Sequence, residues 1–169
     1  MKKNLMIYIG VLLAWASFMT ACTDSHILYH QYSPLLSQGW SKNDTVTFDI
    51  ELKDSCQNTL SVFAELRHNC DYPYHNLDLG MEYCWTADST TTVSRDSVSF
   101  TIADKNGEWT GNGWGGLYSL SLKAKLLEHS SPGNLNIKIW PQQPDSLLKG
   151  VNNVGIKVCA FDLHQSEEK

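Results

Sequence analysis

Residues 46–52 read VTFDIEL and residues 60–66 read LSVFAEL. In each, every second residue is apolar: Val46, Phe48, Ile50 and Leu52 in the first, Leu60, Val62, Ala64 and Leu66 in the second. A strand turns successive side chains to opposite faces, so a period of two places each set on one face. Outward from this pair the same alternation recurs. It marks Leu79, Met81, Tyr83 and Trp85, then Val98, Phe100 and Ile102, then Tyr118, Leu120, Leu122, Ala124 and Leu126. Leu135, Ile137 and Ile139 follow, and last Val154, Ile156, Val158 and Ala160. Turn residues lie between the runs, as in Asp104-Lys105-Asn106-Gly107 and Pro132-Gly133-Asn134. The pattern predicts an all-β, single-domain β-sandwich of about seven to eight mainly antiparallel strands. The only helical candidate is short, from Asp145 to Lys149. Residues 110–116, TGNGWGG, are too rich in glycine for a regular element.

The first residues carry a different signal. Lys2 and Lys3 precede the apolar run LMIYIGVLLAWASF at 5–18, and Met19, Thr20, Ala21 and Cys22 come next. This is the charged, apolar, small-residue order of a secretory signal. The apolar core of 14 residues is short for a bilayer about 30 Å thick. A cysteine directly after a small residue resembles the bacterial lipobox, which makes Cys22 the expected lipid attachment site. Several acyl chains then hold the protein to the membrane where one would not. Asp24 is the only acid just beyond Cys22, which is no acidic surface-export signal, so the lipid-anchored protein is expected to stay on the periplasmic side. The domain reading is a lipoprotein signal peptide at 1–21, a lipidated tether at 22–39, the sandwich at 40–163 and a polar tail at 164–169.

The 169 residues include 13 Lys or Arg and 18 Asp or Glu, a formal net charge of −5. Removing Lys2 and Lys3 with the signal makes the mature chain more acidic still. An acidic chain with no basic run is a poor match for a phosphate backbone, so nucleic acid is not an expected partner. Five cysteines with no CxxC pair speak against a zinc knuckle or a thioredoxin-type site.

Three blocks stand out. Residues 67–77 read RHNCDYPYHNL, residues 94–116 read SRDSVSFTIADKNGEWTGNGWGG, and residues 147–158 read LLKGVNNVGIKV. Their order resembles the GldH-type gliding-motility lipoprotein family of the Bacteroidota. The matching features are Tyr-Pro-Tyr-x-Asn-Leu, then Gly-x-Trp-x-Gly-x-Gly, then Gly-Val-x-x-Val-Gly, and the likeness covers about residues 28–161. It implies an outer-membrane lipoprotein of gliding motility associated with type IX secretion, with envelope proteins of that apparatus as partners and no enzymatic activity. No cofactor is implied. A glycan-binding envelope lipoprotein is the alternative function.

Several residues have two readings. Arg67, Tyr72, Tyr74 and Asn76 could form a flat surface for a partner or a glycan. Alternatively the tyrosine hydroxyls and Asn76 cap loop backbone groups, which is the preferred role of Tyr74 and Asn76. Trp109 is expected to seal one end of the sandwich. For Trp114, sealing and stacking on a ligand stand level. His68, Cys70, Asp71 and His75 are close in sequence but match no known metal spacing, so no metal site is expected. Asp104, Asn106 and Glu108 lack the full calcium-loop pattern and read as a tight turn. No nucleophile motif or phosphate-cradling loop occurs, so no catalytic residue is assigned. Ser89 and Ser146 follow aspartates in loops and are candidate O-glycosylation sites.

Overall fold

The computed structural model describes residues 27–53, 59–128 and 132–160. Its eleven strands are β1 (Ile27–Pro34), β2 (Trp40–Ser41), β3 (Val46–Leu52), β4 (Thr59–Asn69), β5 (Asn76–Ala87), β6 (Thr90–Thr101), β7 (Asn112–Trp114), β8 (Leu117–Glu128), β9 (Gly133–Pro141), β10 (Leu147–Leu148) and β11 (Val151–Ala160). Eight of them are long, and the short β2, β7 and β10 are additions at one end. One sheet has the order β1-β11-β4-β8-β7 and the other β3-β9-β5-β6, while β2 and β10 form a small third sheet. Every pairing is antiparallel. The fold is the all-β sandwich that the alternation predicts.

The core lies between the two large sheets. Leu60, Val62, Ala64 and Leu66 of β4 are fully buried beside Val154, Ile156 and Val158 of β11. They meet Phe48 and Ile50 of β3, Leu79, Met81 and Tyr83 of β5, Phe100 of β6 and Ile137 of β9. Burial raises the Tyr83 phenol far above its ordinary value, with Asp96 adding to the shift.

Three features differ from the sequence reading. The stretch expected as a tether contains β1, which pairs with β11 from Ile27 to Pro34. Its faces are mixed, so it shows no clean alternation: as an edge strand it buries little on either side. The helical candidate is β10, pairing Leu147 with Ser41 and Leu148 with Trp40, and Leu148 is buried. In β8 the register slips, with Val62 opposite Lys125 and Phe63 opposite Lys123. Ala124 is the extra residue of a bulge, which reverses the faces beyond it. Leu127 therefore packs against the core and Leu126 is exposed.

Candidate functional site

The register of the five-stranded sheet sorts its residues into an inner and an outer face. The row Tyr32, Gly155, Glu65, Ser121 crosses the outer face, and the row Pro34, Asn153, Arg67, Ser119, Asn112 lies beside it. Glu65 is only 4% exposed although it points away from the core. Its carboxylate lies 2.7 Å from His30 Nε2, 3.5 Å from Lys157 Nζ, and accepts the Ser121 hydroxyl at 3.2 Å. Burial pushes this carboxyl up. Hydrogen bonds from Tyr32 and His30, with the charges of His30 and Lys157, outweigh that and hold it below the ordinary range. Burial and the same carboxylate push the Tyr32 phenol up to about 12.

Tyr32 reaches this position because residue 155 is glycine. A Cβ there would come within 2.7 Å of the Tyr32 ring, so the ring crosses β11 where no side chain stands. The Arg67 guanidinium carbon sits 4.0 Å above that ring, and Lys157 Nζ is 4.8 Å from the Phe63 ring. Such cation–ring contacts contribute roughly 0.5–2 kcal/mol. The result is a basic and aromatic patch on an acidic chain.

The second cluster is at the end of the sandwich where β4 finishes. Strand alternation sends His68 inward and Arg67 outward, so Arg67 joins Tyr32 rather than the loop tyrosines. His68 is fully buried and stacks on Tyr118, with ring centroids 5.4 Å apart, and Trp109 is 5.1 Å away. Its Nδ1 is 3.1 Å from the Asn69 carbonyl oxygen, and its Nε2 has no hydrogen-bond partner among the described residues. Desolvation depresses its pKa, partly offset by the Asn69 bond.

Tyr72 is buried, and its hydroxyl donates to the Asn76 carbonyl at 2.7 Å. It therefore cannot join Arg67 in a flat recognition surface. Burial raises its phenol strongly, with Asp78, Tyr74 and Asp145 adding to the effect. The Tyr74 hydroxyl donates to Asp145 at 2.6 Å, and Gln143 also donates to the Asn76 carbonyl. Trp109 packs against the core cluster, as an end seal would. Trp114 does the opposite: it is 93% exposed. It lies at the tip of the β7–β8 hairpin, whose turn residues Gly115 and Gly116 both have positive φ, the backbone of a tight two-residue hairpin loop.

The remaining candidates are dispersed. Asp104 Oδ1 accepts the Asn106 and Glu108 backbone amides at 2.8 and 2.9 Å, which is the work of a turn. Ser89 sits at positive φ in the β5–β6 turn and Ser146 precedes β10, both exposed. Cys22 lies outside the described residues. Among those described, no group of three or more His, Cys, Asp or Glu is placed to hold a metal ion. A hollow of about 560 Å³ opens at the His68 end, lined by Leu35, Gly39, Asn69, Asp71, Lys149 and Asn152 among others. Sequence reading singled out Arg67 and Trp114 but missed His30, Tyr32, Glu65 and Lys157. Tyr32 was hidden in the expected tether, and Glu65 looks like any polar residue on an outer strand face.

The model of the GldH lipoprotein family matches residues 27–158. Gliding motility lipoprotein GldH of Flavobacterium johnsoniae is 27% identical over 155 residues, covering 88% of this chain and 94% of that protein. A GldH homolog of Christiangramia forsetii is 28% identical over 147 residues, covering 82% and 87% respectively. Among solved structures, a family GH115 4-O-methyl-alpha-glucuronidase aligns with 85% of this chain and 19% of its own, at 13% identity and a TM-score of 0.41. The infectious bursal disease virus Gt strain structure aligns with 77% of this chain and 30% of its own, at 18% identity and a TM-score of 0.34.

Proposed function

The chain belongs to the GldH lipoprotein family, and on that premise we propose that it is a non-catalytic accessory component of the gliding-motility and type IX secretion apparatus. In this reading it is held by lipid on Cys22 at the outer membrane and faces the periplasm. Family membership across the whole sandwich carries the proposal. Two features of the site support a binding role over a catalytic one. The buried Glu65 carboxylate is already engaged by Tyr32, His30, Lys157 and Ser121. The buried His68 ring is enclosed by Tyr72, Trp109 and Tyr118.

The test is genetic and chemical together. Deleting the gene in the source organism should impair surface spreading or type IX secretion, and the wild-type chain should restore it. The Cys22→Ser variant should neither restore it nor incorporate a fatty-acid analogue. Intact spreading and secretion in the deletion strain would refute the functional assignment, and acylated Cys22→Ser would refute the anchor.

A further inference from the structure

The two outer faces of the sandwich use their charges differently. On the four-stranded sheet, Lys138 and Arg95 both close on Glu82, at 2.8 and 2.7 Å. Asn136 holds Asp49 at 2.6 Å, and the Trp140 ring lies against Gly80. Those charged side chains are thus engaged within the sheet. On the five-stranded sheet Arg67 has no carboxylate within 4.0 Å among the described residues, and its guanidinium is held over the Tyr32 ring. Trp114 pairs with Leu117, one row beyond the row of Ser119 and Arg67 and on the same side of the sheet. With strands about 4.8 Å apart and rows near 6.8 Å, Trp114 and Arg67 are roughly 12 Å apart. Ser119 and Asn112 lie between them, small polar groups that leave the ground flat.

We propose that this outer face, from Trp114 to the Arg67–Tyr32 stack, is the docking surface for an acidic protein of the envelope. A carboxylate of the partner enters the Arg67 fork, and an apolar hollow on the partner takes the Trp114 indole. The inference rests on the reading of the chain as a lipid-anchored envelope protein and deepens it.

Charge, shape and position select this occupant. Arg67, Lys157 and Lys123 stand on the face against Glu65 and Glu128, the latter at its far end opposite Thr59, so the face carries an excess of cations on a chain whose net charge is −5. A guanidinium pre-positioned on a ring loses little freedom when it forms a two-point bond to a carboxylate. A second copy is disfavoured, because two-fold docking of this face on itself brings cation toward cation. A sugar is also disfavoured. Small ligands sit in concave sites, and the hollows at 35–39 with 149–152 and at 51–53 with 132–134 open at the ends of the sandwich. Dispersed Trp, Tyr and Arg anchors on flat ground are instead the pattern of protein interfaces. Four strands about 30 Å long, with the short β7 beside them, give a face of roughly 600 Å², near the ~800 Å² each partner contributes to a standard interface.

The anchor argues against lipid as the occupant. From Cys22 to Ile27 is five residue steps, at most about 18 Å, so the Ile27 end of β1 is tied close to the bilayer. β1 runs parallel to β4 across β11, so Asn69 with the β7–β8 hairpin lies at the opposite end of the sheet from Ile27, roughly 30 Å along β4. The Trp114 tip is thus at the end of the sheet remote from the anchored one.

The test uses the full acylated protein in its host, with Trp114 replaced by the photoreactive p-benzoylphenylalanine. Irradiation should give one discrete protein adduct, identified by its peptides. The same probe at Val93, exposed on the edge strand of the other sheet, should not give that adduct. Adding Arg67→Glu should lower its yield at least tenfold, and Arg67→Ala should lower it less. Melting temperatures of both Arg67 variants within a few degrees of the parent show that the fold survives. An adduct to polysaccharide or lipid, no adduct, an equal adduct from Val93, or a yield unchanged by Arg67→Glu would each overturn the proposal. A deletion strain without a motility or secretion defect would refute the assignment to that apparatus and leave this readout standing.

Discussion

Protonating His68 should cost the fold stability, because its imidazole has nowhere to place a charge. The ring is fully buried between Tyr118 and Trp109. Nδ1 is used by the Asn69 carbonyl, so the added proton would fall on Nε2, which has no acceptor among the described residues. Its pKa is depressed in the folded chain, whereas an unfolded histidine titrates near 6.5. The sign follows from proton uptake. The unfolded chain binds a proton that the folded chain refuses, so stability is full above about pH 6.5 and falls as the pH drops through that value. It levels off below the folded pKa. Between pH 7.5 and 5.5, a ring that stays neutral when folded costs RT ln(11/1.1), at most about 1.4 kcal/mol. Urea denaturation of a chain beginning at Thr23, at both pH values, measures this loss. The His68→Phe variant keeps an aromatic ring in the stack but cannot titrate. Its loss over the same interval should be smaller by up to that amount, since the other five histidines are present in both proteins. Equal losses in the two proteins would refute the buried, uncharged role of His68.

Three further outcomes are expected. Phe48→Ala and Phe100→Ala each empty a site in the core and should lower unfolding free energy by roughly 3–5 kcal/mol; losses under ~1 kcal/mol at both would contradict the packing. Gly150 has φ +81°, and a Cβ there would come within 2.2 Å of the Tyr72 backbone nitrogen, so Gly150→Ala should destabilise by more than about 2 kcal/mol in the same denaturation assay. Ser89 or Ser146, both exposed, should carry a glycan on protein purified from the host, and an intact mass equal to the acylated polypeptide alone would exclude it.

Alternation made the sandwich legible because most long strands bury one face only. β3 and β9 show it directly, with buried residues at every second place. It failed where a strand has no buried face to advertise. β1 lies at a sheet edge and is partly exposed along its length, so its sequence looks like a linker. The bulge in β8 could not be read either, because Ala124 fits the parity of Tyr118, Leu120 and Leu122, and only the pairing with β4 reveals the slip. The site was half legible for the same reason. Arg67 and Trp114 stand out by residue type, but their shared face depends on which strands are neighbours. Tyr72 resembles a surface tyrosine in sequence. Its ring packs in the core cluster beside His68, and its hydroxyl is satisfied by the Asn76 carbonyl, contacts that only the tertiary structure brings together.

The edge strand β1 joins the anchor to the proposed docking face. Its first residue is five steps from Cys22, and its Tyr32 forms the base on which Arg67 rests. The contact spans three strands, because the Tyr32 ring passes over Gly155 of β11 to reach Arg67 of β4. On the same outer face, Glu65 ties these strands through His30 of β1 and Lys157 of β11. These side chains add to a ladder that pairs Tyr29 with Val158 through Pro34 with Asn153. Antiparallel ladder bonds run perpendicular to the strands. A pull on the lipid directed along β1 therefore loads all of those bonds together rather than peeling them one by one. A chain anchored at its N-terminus and held by a partner at the far end of the same sheet experiences that geometry. The edge position that made β1 hard to recognise in the sequence thus also lets a single strand join the anchored end of the chain to the proposed docking surface.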